Sequence, residues 1–265
     1  MKRWVRACLF LLCLVLSATA QGAEENRLWQ YSTLGALLHG GYAGGVSIGE
    51  VLRHGSCGLG TLDALDGEMT CLDSRCYQVK SDGKAYPVAA EATTPFVQIA
   101  AFAPRTRQKL APSGSIAAVE KALDALLASR NQFALAVLTG RFARLTTRSV
   151  PRQAKPYPPL GEVVKSQAVF DFRDVEGTVV AVYQPAYVGQ IGVPGWHLHF
   201  LTKDKTAGGH VLDLAPQAVQ VELQVFNEFD LILPDSGDFR ALDLDPKQST
   251  TAVDAVERMG RGQQK

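Results

Sequence analysis

Three of the chain's five histidines, His197, His199 and His210, fall within fourteen residues. They sit in Gly195-Trp-His-Leu-His-Phe-Leu201 and, after a short polar stretch, in Gly208-Gly-His-Val-Leu-Asp213. Residues two apart on a strand project to the same face. His197 and His199 therefore point together, with Leu198 on the opposite face. A turn over 202–209 returns the chain antiparallel and lets His210 reach the same place. Three neutral imidazoles with open positions are what a catalytic zinc site requires, and hydrolysis suits such a site as well as Lewis-acid chemistry does. Imidazoles also suit copper, iron or nickel. A lone strand histidine is ordinarily a satisfied core or surface residue; the third histidine across a glycine-ended hairpin is what points to a metal.

The elements that must carry these residues are mostly strands. Alternation and turn signals predict strands over 58–62, 68–72, 76–79, 85–89 and 97–102, with Asp66-Gly67 and Asp82-Gly83 as turns. Further strands are expected over 133–138 and 142–147 around Gly140, then over 168–172, 177–183, 195–201, 210–214 and 219–225. In the last of these Val219, Val221, Leu223 and Val225 alternate with polar residues, the mark of a half-buried strand. Helices are fewer. Residues 32–38 and 48–53 read as short ones, the second opened by the capping-box spacing Ser47-Ile-Gly-Glu50. Residues 115–129 show the 3.6-residue period through Ile116, Val119, Leu123, Leu126 and Leu127. A short helix over 161–167 and a terminal one over 250–259 complete the set. The class is α+β and strand-rich. The proline-rich stretch 151–159 is the expected connection between an N-terminal region (24–150) and a C-terminal region (151–265).

The first 23 residues are set apart. Lys2, Arg3 and Arg6 precede an apolar run over 7–16, and the small residues of 17–23 offer cleavage after Ala20 or Ala23. This is a secretory signal-peptide pattern, and the run is too short for a bilayer span, which needs roughly 20 apolar residues. The mature chain is then exported, periplasmic or secreted, and has no membrane anchor. Losing three basic residues takes the formal charge from +1 to −2, a balance that argues against nucleic acid as partner. Of five cysteines, Cys8 and Cys13 leave with the leader. Cys71 and Cys76 flank Leu72-Asp73-Ser74-Arg75, a hairpin loop across which they either form a disulfide in an oxidising compartment or stay as buried thiols. Cys57 packs as a small hydrophobe.

The chain resembles the α-acetolactate decarboxylase family over roughly 31–257. The resemblance is carried by Tyr31-Ser-Thr-Leu34, His54-Gly55, Gly58-Leu-Gly-Thr61, Leu65-Asp-Gly-Glu-Met69, Tyr77-Gln-Val-Lys-Ser-Asp-Gly83, Ser129-Arg-Asn131 and Thr147-Arg-Ser149. Lys155-Pro-Tyr157, Gly177-Thr178, Pro185-Ala-Tyr187 and the whole run 197–213 continue it. It implies a carboxy-lyase that turns 2-acetolactate into acetoin and carbon dioxide, with Zn2+ held by His197, His199 and His210. It further implies Glu68, Arg148 and Glu257 as catalytic residues, Thr61 and Arg148 as substrate-binding residues, and a homodimer. Cys57, Cys71 and Cys76 depart from the family's pattern without touching this chemistry.

Zinc at the ketone oxygen would stabilise an enediolate, Arg148 would hold the departing carboxylate by a two-pronged contact, and Glu68 or Glu257 would supply the proton. The expected architecture is two-layered, with mixed sheets in the N- and C-terminal regions and the metal site between them. Glu68 and Arg148 are expected from the first sheet and the histidines from the second. Two competing readings use the same histidines: an exported zinc-binding protein without catalysis, and a zinc hydrolase, for which no HExxH motif is present.

Overall fold

The computed structural model describes residues 26–244. The expected leader, Glu257 and the helix expected over 250–259 lie outside them. In chain order the elements are β1 (Arg27–Tyr31), α1 (Leu34–Leu38), β2 (Val46–Ser47), α2 (Ile48–Val51), β3 (Cys57–Thr61), β4 (Glu68–Leu72), β5 (Arg75–Val79), β6 (Ala85–Pro87), β7 (Thr93–Thr94), β8 (Val97–Ala100) and β9 (Thr106–Leu110). There follow α3 (Ile116–Asp124), β10 (Phe133–Ser149), α4 (Leu160–Val163), β11 (Ala168–Gln184), β12 (Gly195–Thr202), β13 (Gly208–Phe226), β14 (Glu228–Ile232) and α5 (Gly237–Arg240). Among the described residues no helix is long and apolar enough to cross a membrane.

Two large sheets carry the fold. The first is mixed, in the order β14-β1-β8-β3-β4-β5-β6, with β1 and β14 parallel and its other pairs antiparallel. The second is antiparallel, β10-β11-β12-β13-β9, and β10 also pairs with β13. That extra pairing closes β10 to β13 into a ring. Its interior is filled by alternate residues such as Ala134, Ala136, Leu138, Val179, Ala181, Leu198 and Phe200, with Ile116, Val119 and Leu123 of α3 packed among them. Ser115 caps α3 by accepting the Ala118 amide at 3.3 Å. The regular helix stops at Asp124 rather than 129, because Leu126 and Leu127 bond back only three residues and tighten the last turn. The ring's other face, through Leu135, Val137, Val180 and Val182, packs on Leu28, Leu59 and Ala100 of the first sheet.

The sheets do not divide the chain at residue 150. β9 and β10 precede the proline-rich stretch yet belong to the second sheet, and β14 returns to pair with β1 in the first. β10 pairs along its length with both β11 and β13, so it cannot leave their sheet. β10 is also one strand where two were expected. Gly140 is a close approach within it, not a turn. Its φ is +151°, and a Cβ there would lie 2.1 Å from the Ala218 carbonyl oxygen.

Cys71 and Cys76 form a disulfide directly across the β4–β5 hairpin, with Cα atoms 4.0 Å apart. Asp73 and Ser74 make the two-residue turn, both at positive φ. Both sulfurs join an apolar cluster with Trp29, Met69 and Ile99. Replacing both cysteines by alanine is expected to lower the unfolding free energy by about 2 kcal/mol on the loop-entropy estimate. An unchanged midpoint in a denaturant titration would refute this. Cys57 is 2% exposed among Leu59, Ala100 and Leu135, and burial pushes its thiol pKa up.

Candidate active site

The histidines meet because of the strand pleat and a pair of glycines. On β12, Trp196, Leu198 and Phe200 enter the ring's interior, so His197 and His199 take the opposite face, toward the first sheet. The Trp196 indole donates to Asp124 at 2.9 Å, which anchors the start of the strand. His210 lies directly across from His199 on β12 and from Arg148 on β10. This double pairing needs the two preceding glycines. A Cβ on Gly208 would sit 2.1 Å from the Phe200 carbonyl oxygen, and one on Gly209, at φ +130°, would sit 2.5 Å from that of Arg148. Any larger residue would push His210 off one neighbour.

His197, His199 and His210 are buried, and one ligand nitrogen of each lies within 4.8 Å of the others. His199 donates its Nδ1 proton to the Met69 carbonyl oxygen at 2.8 Å. That bond fixes the tautomer and leaves the Nε2 lone pair facing the group. Nε2 makes no hydrogen bond and lies 3.4 Å from Glu68 Oε2. Burial first, then the neighbouring His197, holds the His199 pKa well below the usual histidine range. The imidazole is thus neutral at neutral pH, the form that binds metal. His197 Nε2 and His210 Nδ1 are 3.0 Å apart. Buried imidazole nitrogens gathered within 4.8 Å of one another could hold a metal ion.

The remaining expected residues surround this group. Glu68 is the first residue of β4, opposite Thr61 on β3, and is 8% exposed. Thr61 donates its hydroxyl to the Gly67 carbonyl at 2.7 Å, which ties the turn that presents Glu68. Arg148 is 4% exposed; one guanidinium nitrogen donates to the Gln167 amide oxygen at 3.3 Å, and Nε makes no hydrogen bond. One cavity is lined by Thr61, Glu68, Arg148, His197 and His210 together with apolar residues including Leu34, Leu37, Phe96 and Val193. Arg148 does not come from the first sheet as expected. It rides on β10, in the histidines' own sheet, so of the expected site residues only Glu68 and Thr61 reach the cavity from the opposite side. Glu257 lies outside the described residues. The structure adds the Met69 carbonyl, whose role no side-chain pattern announces, and the apolar wall. Leu34 and Leu37 fall in the short helix expected over 32–38, with no sequence signal for a pocket role. A larger cavity of about 610 Å3 lies between residues 39–43, 155–157 and 234–242 and holds none of the expected site residues.

Fold and cavity together define an α+β protein in which one sheet brings together an arginine and three histidines able to hold a metal ion, with a carboxylate of the packed sheet beside them. A family model for alpha-acetolactate decarboxylase matches residues 28–246, and the chain belongs to that family. It is 45% identical over 212 residues to the alpha-acetolactate decarboxylase of Methanosarcina mazei, covering 80% of this chain and 74% of that protein. It is 35% identical over 243 residues to that of Bacillus subtilis, covering 92% and 95%. The X-ray structure of alpha-acetolactate decarboxylase from Bacillus subtilis strain 168 superposes with a TM-score of 0.85, covering 87% of this chain and 99% of that one.

Proposed function

We propose that this protein decarboxylates 2-acetolactate to acetoin and carbon dioxide, with a zinc ion held by His197, His199 and His210 between the two sheets. The observation that carries the reading is the convergence of His197, His210, Arg148 and Glu68 on one cavity of a decarboxylase-family fold, with His199 in the same histidine group.

Loss of carbon dioxide leaves an electron pair on C2, and the neighbouring ketone of the substrate can accept it. A cation held by the imidazoles supplies Lewis-acid polarisation of that ketone oxygen. His199, fixed by the Met69 carbonyl, keeps its Nε2 aimed at the cation position. Arg148 binds the carboxylate through its planar fork and orients the bond that breaks. The pocket's apolar residues exclude water from the site and strengthen both contacts. Glu68 carries the proton that reaches C2 after carbon dioxide leaves; its lining of the same cavity, 3.4 Å from His199 Nε2, supports this role. Glu257 shares this task by family resemblance. Export under the leader of residues 1–23 and a homodimer belong to the same reading, the first supported by the leader's pattern and the second by the resemblance.

The test is acetoin formation from racemic acetolactate, before and after chelation and after return of zinc. Full turnover by verified metal-free protein would sink the metal's role, and no acetoin from the holoenzyme would sink the substrate. Glu68→Gln is expected to lower kcat by roughly a hundredfold or more while metal content stays at the wild-type level. Wild-type kcat in this variant would remove Glu68 from proton transfer.

A further inference from the structure

Three buried glutamines take no part in the chemistry above, and they converge on one stretch of the cavity wall. Gln30, Gln98 and Gln184 are each 0% exposed. Gln98 and Gln184 both donate to the Gln30 side-chain oxygen, at 2.7 and 3.1 Å. Gln30 in turn donates to the carbonyls of Ile191 (2.7 Å) and Ser32 (2.8 Å), and the Gln184 side-chain oxygen accepts the Val193 amide at 2.7 Å. The neighbouring carbonyls of Gln190 and Ile191 accept the amides of Gly35 and Leu34 at 2.8 and 3.0 Å. Residues 190–193 and α1 are therefore one locked unit, and that unit presents Val193, Leu34 and Leu37 to the cavity. Buried amides cost stability unless fully bonded. Gln98 Oε1 has no hydrogen-bond partner, while the bonds of Gln30 and Gln184 hold a hydrophobic surface in place.

The cavity is lined both by polar residues (His197, His210, Arg148, Glu68 and Thr61) and by the apolar residues of this unit; we take the polar ones to hold the substrate's polar groups. In a 2-hydroxy-3-keto acid, C2 bears the carboxylate and the hydroxyl. With those groups on the polar residues, the alkyl substituent of C2 faces the apolar ones. We infer that Val193, locked by Gln184 and Gln30, sets the size of the C2 alkyl group that the site accepts. The inference rests on the decarboxylase reading.

The experiment compares kcat/KM of the holoenzyme and of Val193→Ala and Val193→Leu on acetolactate and on its homologue with an ethyl group at C2. One methylene in an apolar pocket changes discrimination by about tenfold or more. The ratio of homologue to acetolactate should rise by about that factor in Val193→Ala and fall by about that factor in Val193→Leu. Thermal unfolding checks that each variant is folded, and Val193→Ile replaces a variant that is not; its larger side chain should lower the ratio. A ratio within about twofold of wild type in the folded variants, or shifts of the opposite sign, overturns the inference. If the wild-type holoenzyme makes no acetoin, the decarboxylase reading itself fails.

Discussion

Replacing His199 by alanine should strip the bound divalent cation and lower acetoin formation by at least about a thousandfold, the loss expected when several kcal/mol of Lewis-acid stabilisation disappear. His199 is tightly constrained. It is fully buried, bonded through Nδ1 to the Met69 carbonyl, and held neutral by its surroundings. Two nitrogens would remain, a set too small to retain zinc against dilution. The substitution also removes the side-chain bond to the Met69 carbonyl, so some loss of stability is expected. Metal content by elemental analysis, read beside thermal unfolding on the same sample, separates the two effects. A folded His199→Ala protein with wild-type metal content would refute the ligand assignment. A folded, metal-free protein that still made acetoin at the wild-type rate would refute the mechanism.

Arg148→Lys should keep the metal and lose about a hundredfold or more in kcat/KM, and Arg148→Ala should lose more. Truncating a buried, hydrogen-bonded charge contact typically costs roughly 2–5 kcal/mol, and a lysine cannot reproduce a planar two-pronged grip on a carboxylate. Arg148 is suited to such a grip: it is buried, faces a cavity, and its visible partner is the neutral amide of Gln167. The residue also separates the decarboxylase from a non-catalytic zinc-binding protein. Zinc capture by the histidines has no use for Arg148, so a variant with full metal and little acetoin formation excludes that alternative. Unchanged kcat/KM in Arg148→Lys would show that the guanidinium does not bind the substrate carboxylate.

How much of this was readable beforehand depended on the distance over which the information is encoded. The shared face of His197 and His199 follows from the two-residue strand period, which the chain's chirality and pleat fix locally. His210 followed from a hairpin of short sequence separation, and the structure shows why two glycines precede it: both strands beside it approach too closely for a Cβ. The Cys71–Cys76 pairing was one of two open readings, and the direct register across a two-residue turn decides it. Helix α3 was legible in its apolar face, but its last turn was not, because that turn is tightened by local backbone bonds rather than by pattern.

The sequence by itself determined the strand-rich class, the histidine group and the motifs that carry the family resemblance, because each is written within a few neighbouring residues. Only the tertiary structure decided that β10 crosses into the histidines' sheet, that Arg148 therefore stands beside His210, and that a backbone carbonyl orients His199. It alone decided that three glutamines far apart in the chain would lock one wall of the cavity. The physical reason is common to all of these. Strand partners and buried polar contacts are selected by which faces and unsatisfied groups meet when the sheets pack, and residues 62 to 154 positions apart carry no local signature of that meeting.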